Sequence, residues 1–138
     1  MEDINRIIIP VDRSEISKDA VKKGFFLAKA INVEARIITV NDTHQFMSSV
    51  VIEERLKKEA MSYLDEFKEM GDEYGVKLDT ELLTGNPADE IVNYAKKGDL
   101  IIMAHHERGK GIDKVMEKSV SKKVVEESPC SVLVVKKS

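Results

Sequence analysis

A chain of 138 residues with 42% apolar and 34% charged side chains is the size and balance of one compact domain, too apolar for intrinsic disorder. With 22 Lys and Arg against 25 Asp and Glu, the net charge of -3 is too close to neutral for a general nucleic-acid binder. A single cysteine, Cys130, excludes an internal disulfide framework and a cysteine-based zinc cluster, no apolar run approaches the ~18 residues of a membrane span, and the Met1-Glu2-Asp3 opening is not a signal peptide's basic lead-in, so a cytosolic protein is expected.

The first element is Ile7-Ile8-Ile9-Pro10-Val11, a run without a polar face, which predicts a strand buried on both sides and stopped by Asp12. Ala20, Val21, Gly24, Phe25, Leu27, Ala28 and Ile31 then recur at three- and four-residue spacing, predicting a one-sided helix over 15–32 with Ser14 as its cap. A second apolar run over 35–40 ends at the turn-prone Asn41-Asp42. Between 48 and 71, Leu56, Ala60, Tyr63, Leu64, Phe67 and Met70 keep helical spacing, Glu54 and Lys58 add an i,i+4 ion pair, and Gly71 or Gly75 ends the helix. Val76, Leu78, Thr80 and Leu82 alternate with charged neighbours over 76–83, the pattern of an outer, partly exposed strand. Asn86-Pro87 supplies a cap and a first-turn proline for a helix with Ile91, Val92, Tyr94 and Ala95 on its apolar side and Gly98 closing it. Leu100-Ile101-Ile102-Met103-Ala104 is the second strand buried on both faces. A polar Gly/Lys loop follows to about residue 118. Val120, Val124 and Val125 mark the last helix, ended by Ser128-Pro129, and Ser131-Val132-Leu133-Val134-Val135 is the final strand. The order βαβαβαβαβ, without linker or repeat, predicts one α/β domain over 1–138, an open parallel sheet with helices on both faces.

In such a sheet, ligands sit at the carboxyl ends of the strands where the winding reverses. The first and fourth strands are the most buried, which puts the crevice between Pro10-Val11-Asp12 and Ala104-His105-His106. Asp12 there has two compatible roles. It starts the turn and helps cap the following helix, or its carboxylate accepts bonds from ribose hydroxyls.

Four separated segments, in order, resemble the universal stress protein family: Ile7-Ile8-Ile9-Pro10-Val11-Asp12-x-Ser14, Gly85-Asn86-Pro87-Ala88-Asp89-Glu90-Ile91, Asp99-Leu100-Ile101-Ile102-Met103, and Ser128-Pro129-Cys130-Ser131-Val132-Leu133-Val134-Val135. The resemblance implies a five-stranded sheet of order 3-2-1-4-5, a Rossmann-like fold of the adenine nucleotide alpha hydrolase type. It also implies an adenine-nucleotide site built from Pro10, Val11, Asp12, Val40, Ala104, His105, His106, Ser119, Val120 and Ser121. In that assignment Asp12 meets the ribose, the Val40 backbone the adenine, and Ser119 and Ser121 the phosphates of ATP or AMP.

The family's ATP-binding members show Gly-x2-Gly-x9-Gly-(Ser/Thr) after the fourth strand, whose glycines let the backbone approach the phosphates. Here Ala104, Glu107 and Lys118 stand for the three glycines, and the stretch from 107 to 118 is one residue too long. An inward Glu107 carboxylate repels a polyphosphate, and a side chain at position 118 disfavours a positive φ. The Ala-His-His pattern is similar to the branch of the family thought not to hold ATP tightly. Charge argues mildly the other way: Arg108, Lys110, Lys114, Lys118, Lys122 and Lys123 outnumber Glu107, Asp113 and Glu117, and a basic loop beside a helix N-terminus attracts anions. Its plainer role is a solvated connection made pliable by Gly109 and Gly111.

A metal site at His105-His106 is disfavoured, because adjacent histidines after a strand point apart and Asp12 and His44 are third ligands only by analogy. Cys130 reads as a small buried filler, not a nucleophile, since no positioned base accompanies it. No Ser-His-Asp spacing, Walker loop or carboxylate pair stands out, so catalytic residues are not assigned and efficient turnover is not supported. A receiver domain is rejected because Leu82-Leu83-Thr84 lacks the phosphoacceptor Asp after the third strand.

Two functions remain open from sequence. One is a homodimeric regulatory stress-response protein with adenine-nucleotide binding weakened or lost; the other is a working ATP/AMP switch with slow hydrolysis or none. The dimer is expected through the final strand. Val132, Leu133, Val134 and Val135 are apolar on both sides, yet the family's strand order puts them at the sheet edge, where antiparallel pairing with a second copy satisfies the edge and buries the valines, as in related proteins.

Overall fold

The computed structural model describes residues 3–12, 14–42, 50–105 and 118–136, with the backbone alone at 118 and 119. Within them the elements run β1 (Arg6–Pro10), α1 (Glu15–Ile31), β2 (Glu34–Asn41), α2 (Val50–Tyr74), β3 (Leu78–Thr84), α3 (Pro87–Tyr94), β4 (Asp99–His105), α4 (Lys118–Glu127) and β5 (Ser131–Lys136). The strands pair in parallel in the order β3-β2-β1-β4-β5. This is the sheet that the family resemblance implies. His44, His106, the Gly/Lys loop up to 117 and the side chain of Ser119 lie outside the described residues.

The runs without a polar face take the middle of the sheet because both of their sides are covered. Alternate residues divide between two cores. Ile7, Ile9, Ala35, Ile37, Ile102 and Ala104 face α1 and α2, where Val21, Phe25, Leu64 and Phe67 close the layer. Ile8, Ile38, Val40, Ile101 and Met103 face α3 and α4, against Ile91, Ala95 and Val124. Helix α1 lies close on the sheet at Gly24, where a Cβ would collide with the end of the Ile9 side chain.

Three local expectations shift. Helix α2 runs through Gly71 to Tyr74, and Gly75, at φ +74°, ends it; Val76 belongs to the turn, its N–H donating to the Gly71 carbonyl at 3.0 Å, so β3 starts at Leu78. Helix α3 ends at Tyr94, not at Gly98. Asp99 is the reason: its carboxylate takes a bidentate bond from Arg6 (2.8 and 3.1 Å) and also accepts from the Lys96 N–H at 2.8 Å, which draws residues 95–98 into a turn. Ser14 occupies the N-cap position of α1, yet its side chain makes no cap bond and turns to Asp12. The Asn86 cap of α3 is as expected, its side chain accepting from the Asp89 N–H.

The two edges differ in character. Outer strand β3 interleaves Asp79 and Glu81 with its apolar residues, a deterrent to further pairing. Strand β5 has Val132, Leu133, Val134 and Val135 in succession before Lys136.

Candidate functional site

The crevice at the carboxyl ends of β1 and β4 is built outward from the sheet. Val11 continues past β1 by donating its N–H to the Ile38 carbonyl at 2.9 Å, and its own carbonyl accepts from the Thr39 hydroxyl at 2.9 Å. That hydroxyl also shares a 2.5 Å hydrogen bond with Tyr63 of α2, so the tip of β1 is pinned from two elements. Asp12 follows, only 9% exposed. Its Oδ1 accepts from the Ser14 N–H at 2.8 Å, from the Ser14 hydroxyl, and from the Ser17 hydroxyl at 2.9 Å. Ser17, fully buried in the first turn of α1, returns the contact by accepting from the Asp12 N–H at 3.0 Å. The turn role of Asp12 is therefore realised through an Asx-type turn and a buried serine. Sequence reasoning missed Ser17; an Asp followed by serines two and five residues later was the available signal.

On the opposite wall, Ala104 spends its methyl in the core on the α1 side and His105 points the other way, toward α4. His105 Nδ1 lies 3.1 Å from the hydroxyl of Ser121, which is 3% exposed in the early part of α4. Val120 packs partly buried against the core on the α3 and α4 side. An ion pair of 2.6 Å between Lys123 and Asp89 ties α4 to α3 and raises the lysine pKa through that hydrogen bond. Val40, 7% exposed, buries its side chain among Ile8 and Ile38, which leaves its backbone as the part available near the crevice. Pro10 is buried at the end of β1. The structure thus gathers Pro10, Val11, Asp12, Val40, Ala104, His105, Val120 and Ser121 at one end of the sheet.

A cleft of about 790 Å³ opens beside this crevice, between the ends of β2 and β3 and the first half of α2. Asn41, Asp42, Thr84, Leu56, Lys57 and Met61 are among the residues that line it. Helical spacing along α2 could not locate it, because its walls come from three separate elements. Among the described residues, no group of three His, Cys, Asp or Glu side chains could hold a metal ion, and no helix is long and apolar enough to cross a membrane. Cys130 is half-buried against the core on the α3 and α4 side, and burial pushes its thiol pKa up, with the Asp99 charge adding to the effect.

An open parallel sheet wound 3-2-1-4-5, with a polar crevice at the β1/β4 switch point, defines a doubly wound α/β protein of the kind that takes ligands at its strand ends. The model of the universal stress protein family matches residues 3–136. A universal stress protein of Methanocaldococcus jannaschii is 40% identical, over 96% of this chain and 82% of the relative. The chain belongs to the universal stress protein family. Its fold superimposes on UspA from Lactobacillus plantarum with a TM-score of 0.79 at 23% identity, covering 98% of this chain and 99% of that one. Two further structures of this fold were solved with ligands. One is a universal stress protein in complex with cAMP (TM-score 0.71, 21% identity, 97% of this chain and 98% of that one). The other, from Archaeoglobus fulgidus, is in complex with dAMP (TM-score 0.67, 17% identity, 99% and 100%).

Proposed function

We propose that this protein is a homodimeric regulatory stress protein whose adenine-nucleotide site is degenerate, with ATP held weakly or not at all. The observation that carries the reading is the occupation of the crevice's own polar groups: Ser121 is engaged by His105, and Asp12 Oδ1 by Ser14 and Ser17. A nucleotide reaching Asp12 Oδ1 or the Ser121 hydroxyl competes with bonds already made there, and the loop offers Ala104, Glu107 and Lys118 where glycines would let backbone N–H groups approach phosphates. Family resemblance assigns His106 and the Ser119 hydroxyl, both outside the described residues, to the same site. Among the described residues no side chain is placed as a water-activating base, and we expect negligible hydrolysis; steady, metal-dependent ADP production by the pure protein overturns this.

Calorimetric titration with ATP and AMP tests this, with micromolar or weaker affinity expected for both; nanomolar ATP affinity overturns it. The second reading, a working ATP/AMP switch, is favoured by the cleft beside the end of β2, whose volume suits a nucleoside, and by the cAMP and dAMP held by proteins of this fold.

The dimer rests on β5. Its backbone pairs with β4 on one side, and it is apolar from Val132 to Val135 with a charge only at its Lys136 end, whereas β3 interleaves Asp79 and Glu81. Pairing with a second copy buries two or three valine-sized side chains per subunit, worth about 1.5–3 kcal/mol each. Sedimentation at tens of micromolar should give a dimer that Val134→Lys or Val132→Pro dissociates or aggregates. A wild-type monomer overturns the dimer.

A further inference from the structure

On the α1 side of the sheet, just inside the β5 edge, Phe26 and Leu133 remain uncovered. Phe26 is 67% exposed and Leu133 41% exposed, although Phe25 and Val135 of the same two elements are buried in the core. They share a shallow recess of about 270 Å³ with Leu27, flanked by Lys22 and Lys23. The periodicity of α1 accounts for Phe25 in the core but not for Phe26, which lies about 100° further round the helix and points along the sheet toward its edge.

We infer that Phe26 and Leu133 form an apolar anchor that meets the same two residues of a second copy of this chain. The inference rests on the dimer reading above and names the residues outside the strand that hold it. Two antiparallel edge strands in one continuous sheet are related by a two-fold axis normal to that sheet. Such an axis keeps each face on its own side, so the Phe26 and Leu133 patches of both copies lie on the same α1 face at the shared edge. Pairing along β5 therefore brings apolar surface against apolar surface without rearrangement, and the contact is self-complementary and closed at two copies. Charge on the two edges fits this occupant. The β3 edge, which a second copy does not use, keeps Asp79 and Glu81, whereas the β5 edge and its flanking patch are apolar up to the lysine rim. Lys22 and Lys23 are exposed, so their repulsion across the axis is screened by salt while their stems add to the apolar wall.

The test uses the full chain. It has no tryptophan, so Phe26→Trp gives a single reporter at the anchor. Its emission should shift to the red as the protein is diluted through the dimer dissociation range, and Phe26→Lys should raise the dissociation constant at least tenfold by sedimentation. Because Phe26 is largely exposed in the single chain, the thermal unfolding of the diluted Phe26→Lys variant should match that of equally diluted wild type. A wild-type dimer whose affinity Phe26→Lys leaves unchanged, or an emission of the Phe26→Trp variant that is insensitive to dissociation, overturns the anchor while leaving the strand-paired dimer standing. A wild type that stays monomeric overturns both.

Discussion

Replacing Asp12 separates its structural work from any role toward a ligand, and the structure sets the size of the first. Three donors converge on Oδ1: the Ser14 N–H, the Ser14 hydroxyl and the Ser17 hydroxyl. Ser14 is partly exposed, so water takes over most of its two bonds after truncation. Ser17 is fully buried and cannot be rehydrated without opening the first turn of α1. Leaving one buried hydroxyl short of its acceptor, plus the lost bonds to a charged group, puts Asp12→Ala at about 2–3 kcal/mol. Asp12→Asn keeps an oxygen in the Oδ1 place and loses only the charge assistance, about 1 kcal/mol. Urea unfolding reads these as midpoint shifts, with the slope held near that of the wild type. Nucleotide titration on the same samples reads the second role. An Asp12→Ala variant within about 0.5 kcal/mol of wild type would refute the structural account. Loss of nucleotide binding in Asp12→Asn, with stability retained, would move the site toward the working switch.

Three further outcomes follow from the packing. Asp99→Ala strands Arg6, whose side chain is 14% exposed and which already stacks on Tyr94 at 5.2 Å, and should cost about 3 kcal/mol in denaturant unfolding; a loss below about 1 kcal/mol would show the pair to be replaceable by water. Gly24→Ala gains about 1 kcal/mol of helix propensity but presses on the fully buried Ile9, an overpacking cost of roughly 1–3 kcal/mol, so calorimetry should show a lower melting temperature; a rise would mean Ile9 has room to move. Burial raises the Cys130 pKa, so the native state favours the neutral thiol; that stabilisation is complete below the ordinary thiol pKa and is lost as pH rises through the native value. Alkylation of native protein should accordingly be slower than that of the urea-unfolded chain at pH 8, and equal rates would contradict it.

Local sequence carried most of the fold. Ile7-Ile8-Ile9 and Leu100-Ile101-Ile102-Met103 have no polar face, and such runs are stable only where helices cover both sides of a sheet, which forces them to the centre. The charged alternation of 78–84 put β3 outside for the converse reason, and Asn86-Pro87 started α3 because a cap is a contact between near neighbours. Strand order came from family resemblance, since periodicity says which faces are buried but not which strands adjoin.

Tertiary structure decided what depends on partners distant in the chain. Gly98 did not end α3, because Arg6, 93 residues away from Asp99, pulls that carboxylate into a turn that propensity cannot foresee. Ser14 did not cap α1 because Asp12, which follows the Val11 that Thr39 and Ile38 hold at the tip of β1, offered its hydroxyl a charged acceptor. The His105 to Ser121 contact and the cleft by Asn41 arise only when strand ends meet helix starts across the sheet. Sequence could name the polar residues of the crevice. Which of them are already bonded to one another is a property of three-dimensional closure, because a hydrogen bond depends on positions within a few tenths of an ångström that no spacing rule transmits.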